Sequence, residues 1–437
     1  MRKGTAVIKS LGRRSVVLLA ASALLLAGCS GGGNEGGEEG QANGAVTIEW
    51  WHIQNTEPMR PVWDALAKEY MAQNPNVKIE IQAIENDAFK PKLTTVTQSG
   101  DAPDIFQTWG GGVLAQQAQV GLVKDLTNDV SSWFGNFQEV IAETYKADGK
   151  IYAVPYDAGM VGIWYNKKLF KEAGIEEVPE TWSEFIDAVK KLKAANITPI
   201  ALAGKAEWPG HYWWTYLAMR IGGLTEIQQA IETKNWNTPT FIKAGQMLKE
   251  LVDLEPFQKG FLGAAFDTPD GEAAQMGSGK AAMELQGQWA PSVQKSAAGD
   301  LGDDLGFFPF PEVEGGKGSK NEALGGGGGF AVGADAPAEA VDFLKFISTP
   351  ENHGRGVESG GILPVVKGTE DRVTDQHSKL VVEQLASTTA IQLYLDQALP
   401  PAVGQEINSA TAALIAGQST PEQVAQAITE THQAEAE

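Results

Sequence analysis

The 437-residue chain sets 55 Asp and Glu against 34 Lys and Arg, a formal net charge of −21 at pH 7. Such a surface repels nucleic acid and anionic lipid headgroups, so no nucleic-acid partner is expected. A lone cysteine, Cys29, excludes an internal disulfide, and with five scattered histidines it leaves no ligand set for a structural zinc; neither metal nor cofactor is expected.

At the N-terminus, Arg2, Lys3, Lys9, Arg13 and Arg14 precede an apolar run from Val16 to Ala27. That run is too short to span a bilayer and reads as a secretory signal over residues 1–28. Leu26-Ala27-Gly28-Cys29 resembles the bacterial lipobox, in which the cysteine is lipidated and becomes the first residue after cleavage. The resemblance implies a chain anchored by acyl groups on the outer face of the cell membrane, without a spanning helix. Residues 29–44 follow as a Gly- and Glu-rich tether with no apolar periodicity.

The remaining body exceeds what one hydrophobic core organises and calls for two domains. Val46 to Trp50 alternates like a strand. Met59, Val62, Trp63, Leu66 and Tyr70 recur at helical spacing up to Asn74-Pro75. Val77 to Ile81 alternates again, Phe89, Leu93 and Val96 mark a second helix, and "GDAPDIF" leads into a short buried strand. Strand and helix in alternation predict parallel strands flanked by helices, an α/β fold. Further on, Thr181 with Glu184 forms a capping box before a helix, and "ITPIALAG" reads as a strand. Helices are predicted over 225–255 and 270–283, then a glycine run, a strand Phe330–Val332 and a helix opening near Pro337. A last helix starts at Thr420-Pro421-Glu422.

Catalytic motifs fail on their own chemistry. "GSGKAAM" lacks the first glycine of a phosphate loop and carries Ala281 where magnesium needs a hydroxyl. The run Gly325–Gly329 meets Phe330 where a dinucleotide fingerprint needs its third glycine, and no G-x-S-x-G occurs. Glu57, Asp157 and Glu284 sit beside aromatics, which keeps a glycoside hydrolase open as a second reading, with Asp157 and Glu284 as its pair. Twelve tryptophans stand out instead, many beside glycine: Trp50-Trp51, Trp109-Gly, Trp208-Pro-Gly, Trp213-Trp214 and Gly287-Gln-Trp289. Rings in loops, with carboxylates and amides nearby, make platforms for the C–H faces and hydroxyls of sugars.

Four stretches now carry a family resemblance: "GDAPDIFQTWGGG", "KIYAVPYDAGMVGIWYNKKLFKEAGIEEVPETWSEF", "GKAAMELQGQW", and "GGFAVGADAPAEAVDFLKFIS" followed by "GGILPV". In order and spacing they resemble the extracellular solute-binding proteins of oligosaccharide ABC transporters, the group that includes maltose-binding protein. The resemblance implies a two-lobed, periplasmic-binding-protein-like α/β fold of the class II type, with a hinge and an interlobe ligand cleft. It divides the chain into residues 45–155 plus 324–355 and residues 156–323 plus 356–437. It implies a monomer that binds an oligosaccharide, best matched by xylobiose or a xylo-oligosaccharide, and hands it to the transmembrane subunits of a permease without making or breaking a covalent bond. The site residues it implies are Gln107 and Trp109 on the first lobe's lip, Asp157 as acceptor for sugar hydroxyls, and Trp208 and Trp289 as stacking rings. Gly326, Gly327 and Gly328 would bring backbone close to the sugar. Trp51, His52 and Glu57 would contribute from the first strand-to-helix loop, and Tyr394, Asp396 and Gln397 from a late segment. The same fold with glycerol-phosphate, a metal chelate or a polyamine as ligand is a third reading.

Overall fold

A computed structural model describes residues 44–435. The signal segment, Cys29 and the tether up to residue 43 lie outside the described residues. The predicted alternation is present from the first element: β1 (Val46–His52), α1 (Met59–Gln73), β2 (Val77–Ala83), α2 (Asn86–Gln98) and β3 (Ile105–Thr108). β1 pairs in parallel with β2, Val46 opposite Val77, and with β3, Trp50 opposite Ile105. The apolar stripe of α1, with Met59, Trp63, Leu66 and Tyr70 all buried, packs in the core that holds Ile48 and Trp50.

The chain leaves this sheet by β4 (Ala153–Pro155), forms β5 (Gly159–Met160) and enters a second sheet at β6 (Gly162–Asn166). There α3 (Trp182–Ala194) opens on the predicted capping box, Thr181 with Glu184. β7 (Thr198–Ile200) and α4 (Trp208–Gly222) follow, then β8 (Ala281–Gln286) and β9 (Leu305–Phe308), giving the strand order β9-β6-β8-β7. β10 (Glu322–Gly326) leads back to β11 (Gly329–Val332), which inserts antiparallel between β3 and β4 and completes the first sheet as β2-β1-β3-β11-β4. A third sheet, β12-β10-β5, with β12 spanning Ala390–Leu393, links the two: its members adjoin the chain's passages between them. Each large sheet has its own core, one around Trp50, Trp63 and Phe330, the other around Trp213, Trp214 and Phe310.

Three expectations are corrected here. Trp208 and Trp213-Trp214, read as ring platforms in loops, lie in one helix, Trp208–Gly222, buried almost all round, and Trp213 and Trp214 are wholly buried core. Residues 270–283 are not one helix: a short helix Glu272–Gly277 ends before β8, because a strand bordered by two others needs Ala281–Gln286 extended. The final passage, expected near Gly356, lies later, since Val357, Ile362, Val365 and Val366 still pack in the first core.

Candidate functional site

Between the two cores a cleft opens to solvent, lined from both sides. On the first side the loop after β1 supplies Gln54 and Glu57, the end of β3 supplies Gln107 and Trp109, and α2 supplies Lys90. Tyr156, just after β4, donates its hydroxyl to Gln107 Oε1 at 2.7 Å and accepts from Gln54 Nε2 at 3.3 Å, so the amides of this wall are oriented before any ligand arrives.

The second side is aromatic. Trp208 at the start of α4 and Trp289 after β8 set their ring centroids 6.4 Å apart at 63°, making a corner, and Tyr394 lies 6.2 Å from Trp289. Trp208 also meets Phe266 and Tyr212 edge to face. Trp289 reaches this place by folding back over Gly287, where any Cβ would overlap its ring. Two polar atoms in this region, Tyr394 Oη and Gln288 Oε1, are buried and meet no partner among the described residues. Such atoms are costly until a hydrogen-bonding partner reaches them.

The carboxylates are held by protein. Asp157 Oδ1 accepts from the amides of Ala158 and Leu363, both at 2.8 Å, and Oδ2 accepts from Gln288 Nε2 at 2.7 Å. Asp157 was expected to serve sugar hydroxyls; its observed partners instead join the first passage between the sheets to the segment at Leu363. Burial pushes its carboxyl up to about 7, against the pull of those three donors. Asp396 is paired with Lys90 Nζ at 3.2 Å, accepts from Gln397 Nε2 at 2.9 Å and lies 4.0 Å from the His211 imidazole. Burial alone would raise Asp396, but Lys90 and His211 hold it below the usual carboxylate range.

Of the residues predicted from sequence, Gln107, Trp109, Asp157, Trp208, Trp289, Glu57, Gly327, Gly328, Tyr394, Asp396 and Gln397 are brought together at the cleft. Trp51, His52 and Gly326 are not among its lining residues. Trp51 is buried beside Phe89 and Phe106, donates to Glu49 and lies under Lys92; His52 is wholly buried against Trp50. Both belong to β1 itself, which extends to residue 52, so the ligand-facing loop starts one residue later. Gly326 is crowded by the Tyr394 ring, Gly327 by the Asp157 carbonyl and Gly328 by the Tyr156 ring. The run is therefore glycine because protein packs onto it, and the Gly328 carbonyl is already taken by the amides of Tyr156 and Asp157. Glu284 does not line the cleft: it is wholly buried in β8, so it makes no catalytic pair with Asp157 across the cavity. Sequence reasoning missed Tyr156, Tyr212, Gln288 and Lys90. The first three stand beside or near recognised residues, whereas Lys90 sits in a polar helix face and gave no signal.

A family model described as bacterial extracellular solute-binding protein matches residues 55–354. The chain belongs to this family. Among solute-binding relatives it is similar to the multiple sugar-binding protein of Streptococcus mutans serotype c, 28% identical over 404 residues, which cover 89% of this chain and 90% of that one. Among solved structures it is similar to one described under xylan utilization by the thermophilic bacterium Caldanaerobius polysaccharolyticus, with a TM-score of 0.81, 29% identity, and 88% and 99% of the two chains covered. A chitin oligosaccharide binding protein matches with a TM-score of 0.81, 27% identity, and coverage of 89% and 98%. As in that solute-binding family, the fold is two-lobed α/β with the ligand cleft between the lobes, and among the described residues no helix is long and apolar enough to cross a membrane.

Proposed function

We propose that this solute-binding protein captures a short oligosaccharide, of xylo-oligosaccharide type, at the outer face of the membrane and delivers it to an ABC permease. The observation that carries the reading is the make-up of the cleft: a corner of two tryptophans opposite oriented amides, with Tyr394 Oη and Gln288 Oε1 buried and without a partner among the described residues. Apolar sugar faces stack on rings, and hydroxyls satisfy orphaned polar atoms. Anionic ligands fit less well, since Lys90 is the cation lining the cleft and Asp396 already neutralises it, beside Glu57 and Asp157. The relatives named for sugar, xylan and chitin oligosaccharide support the class. The binding and release of an intact sugar fits Asp157 being fully engaged by protein donors and Glu284 lying outside the cleft. The lipobox at Cys29 supports an acyl anchor.

The test is a thermal-shift panel of xylo-, cello-, malto- and chito-oligosaccharides and glycerol-phosphate on the purified protein, with chromatography of each sugar afterwards. At about 100 times the dissociation constant a ligand adds roughly 2.7 kcal/mol of stability. A shift with xylobiose or xylotriose returned intact is expected. A sugar returned in pieces, or a shift with glycerol-phosphate alone, would overturn the reading.

A further inference from the structure

Behind Trp289 a row of buried polar groups points in one direction. Trp289 Nε1–H donates to Gln286 Oε1 at 3.2 Å, and Gln286 Nε2–H donates to Glu272 Oε1 at 2.7 Å. From the far end, the Ala203 amide donates to Glu272 Oε2 at 2.6 Å. Glu272 and Gln286 are 1% and 0% exposed, so no solvent competes for these bonds. The Ala203 amide can only donate, so Glu272 accepts at Oε2; the indole N–H at the other end of the row can only donate too, so the row closes without a clash when Glu272 accepts at Oε1 as well, as a carboxylate does. A primary amide can present either end. It is the acceptor character of Glu272 that turns the Gln286 NH₂ inward and leaves its oxygen for the indole. Were position 272 to donate, Gln286 would reverse and set N–H against the Trp289 N–H.

A second carboxyl in β8 completes the arrangement. Glu284 Oε1 accepts from Gln294 Nε2 at 2.7 Å, while Oε2 is buried and meets no partner among the described residues. Burial pushes both carboxyls up, so a second negative charge beside the first is disfavoured. The donor pattern decides where the negative charge rests: Glu272 has donors on both oxygens and Glu284 on one.

We propose that Glu272 is the positioning residue of the ligand cleft, setting the orientation of Gln286 and through it the plane of the Trp289 ring on which ligand stacks. The inference rests on Trp289 being a ligand platform, and it adds a residue that touches no ligand. The polarity of the row supplies a test that simple loss of packing cannot imitate. Glu272→Gln should reverse the row and weaken binding about tenfold, one charge-assisted hydrogen bond's equivalent. Glu272→Gln combined with Gln286→Glu rebuilds it. The amide then at position 272 would accept from Ala203 and donate to the carboxylate at position 286, whose other oxygen accepts the indole N–H. Glu284→Gln keeps an acceptor for Gln294 and should stay within about threefold of the unaltered protein.

The experiment uses full chain with two readouts. One is the Trp289 indole ¹H–¹⁵N resonance, assigned by its loss in Trp289→Phe; the other is calorimetric titration with xylobiose, xylotriose and N,N′-diacetylchitobiose. The resonance should move in Glu272→Gln and return in the exchanged pair, and affinity should follow it. An unmoved resonance in the single variant, or an exchanged pair that restores neither readout, overturns the proposal. If the resonance behaves as stated but the unaltered protein binds none of the three sugars, the positioning role stands and the sugar reading falls.

Discussion

At the scale of single residues, the tryptophans divide by what their rings face, and the division has measurable consequences. Trp289 is half-buried at the cleft, whereas Trp213 is 1% exposed in the second core between Phe185 and Phe310. Trp289→Ala should therefore weaken oligosaccharide binding by about 1 to 3 kcal/mol and cost the free protein less stability than Trp213→Ala, chiefly through the Gln286 oxygen left without its donor. Trp213→Ala should lower the stability of the free protein by about 3 to 5 kcal/mol. Calorimetry on both variants decides it, and an unstable Trp289→Ala with undiminished affinity would reverse the assignment. His52, expected at the ligand, has a different consequence. Burial, with Arg60 nearby, pushes its imidazole down to about 3. Below pH 6.5 the unfolded chain takes up a proton there that the folded protein refuses until about pH 3, so stability falls as pH falls through that window, by about 1.4 kcal/mol per unit. His52→Leu should flatten the dependence of unfolding free energy on pH between those limits. Equal slopes for the two proteins would show that the ring titrates freely.

At the scale of elements, legibility followed locality. β1, α1, β2 and α2 were readable because each carries its own period, two for the half-buried strands and 3.6 for α1 with Met59, Trp63 and Leu66 on one face, and β3 because a turn leads into a short apolar run. The capping box at Thr181 and the helix start at Thr420 were readable for the same reason, since a few consecutive residues hold the whole signal, and the structure adds a capping box with Gln423 at Thr420. α4 was misread because it is buried nearly all round: with Tyr212, Trp213, Trp214 and Tyr216 all inside, no polar face remains to show a helical period, and Pro209-Gly210 suggested a turn where proline opens a helix. β8 was misread because Ala281-Ala282-Met283 has high helix propensity, and only its pairing with β6 and β7 makes it a strand. The site was legible where a ring stood at or near glycine, as at Trp109 and Trp289, and at Asp157, beside Tyr156, through the family resemblance. It was not legible where tertiary partners give the residue its role: nothing near Glu272 in the chain announces that Gln286, fourteen residues on, will need an acceptor. The glycine run shows the same limit, for its crowding comes from Tyr156 and Tyr394, both remote from it in sequence.

At the scale of the whole molecule, α2 ties the lobes together. Its Phe89 and Leu93 pack in the first lobe with Phe106, yet two polar groups on it bond to the second. Asp87 Oδ1 accepts from Trp208 Nε1 at 3.0 Å, and Lys90 Nζ pairs with Asp396 at 3.2 Å. Bonds that span a cleft exist only while the lobes are together, so they weight the closed arrangement against an open one even without ligand. Asp87 offers the cleaner test, because removing Lys90 would leave the buried Asp396 with an uncompensated charge. Asp87→Ala removes one hydrogen bond to a charged acceptor, partly exposed, worth about 1 kcal/mol, which is about a fivefold loss of closed population. Apparent affinity falls by the same factor wherever the closed form is the minority, since ligand then has to supply the difference. Small-angle scattering of the free protein should show a larger radius of gyration in Asp87→Ala, the ligand-saturated radius should match that of the unaltered protein, and Asp87→Asn, which keeps the oxygen that Trp208 needs, should restore both radius and affinity. An unchanged radius together with unchanged affinity in Asp87→Ala would mean that α2 rests against the second lobe without holding it.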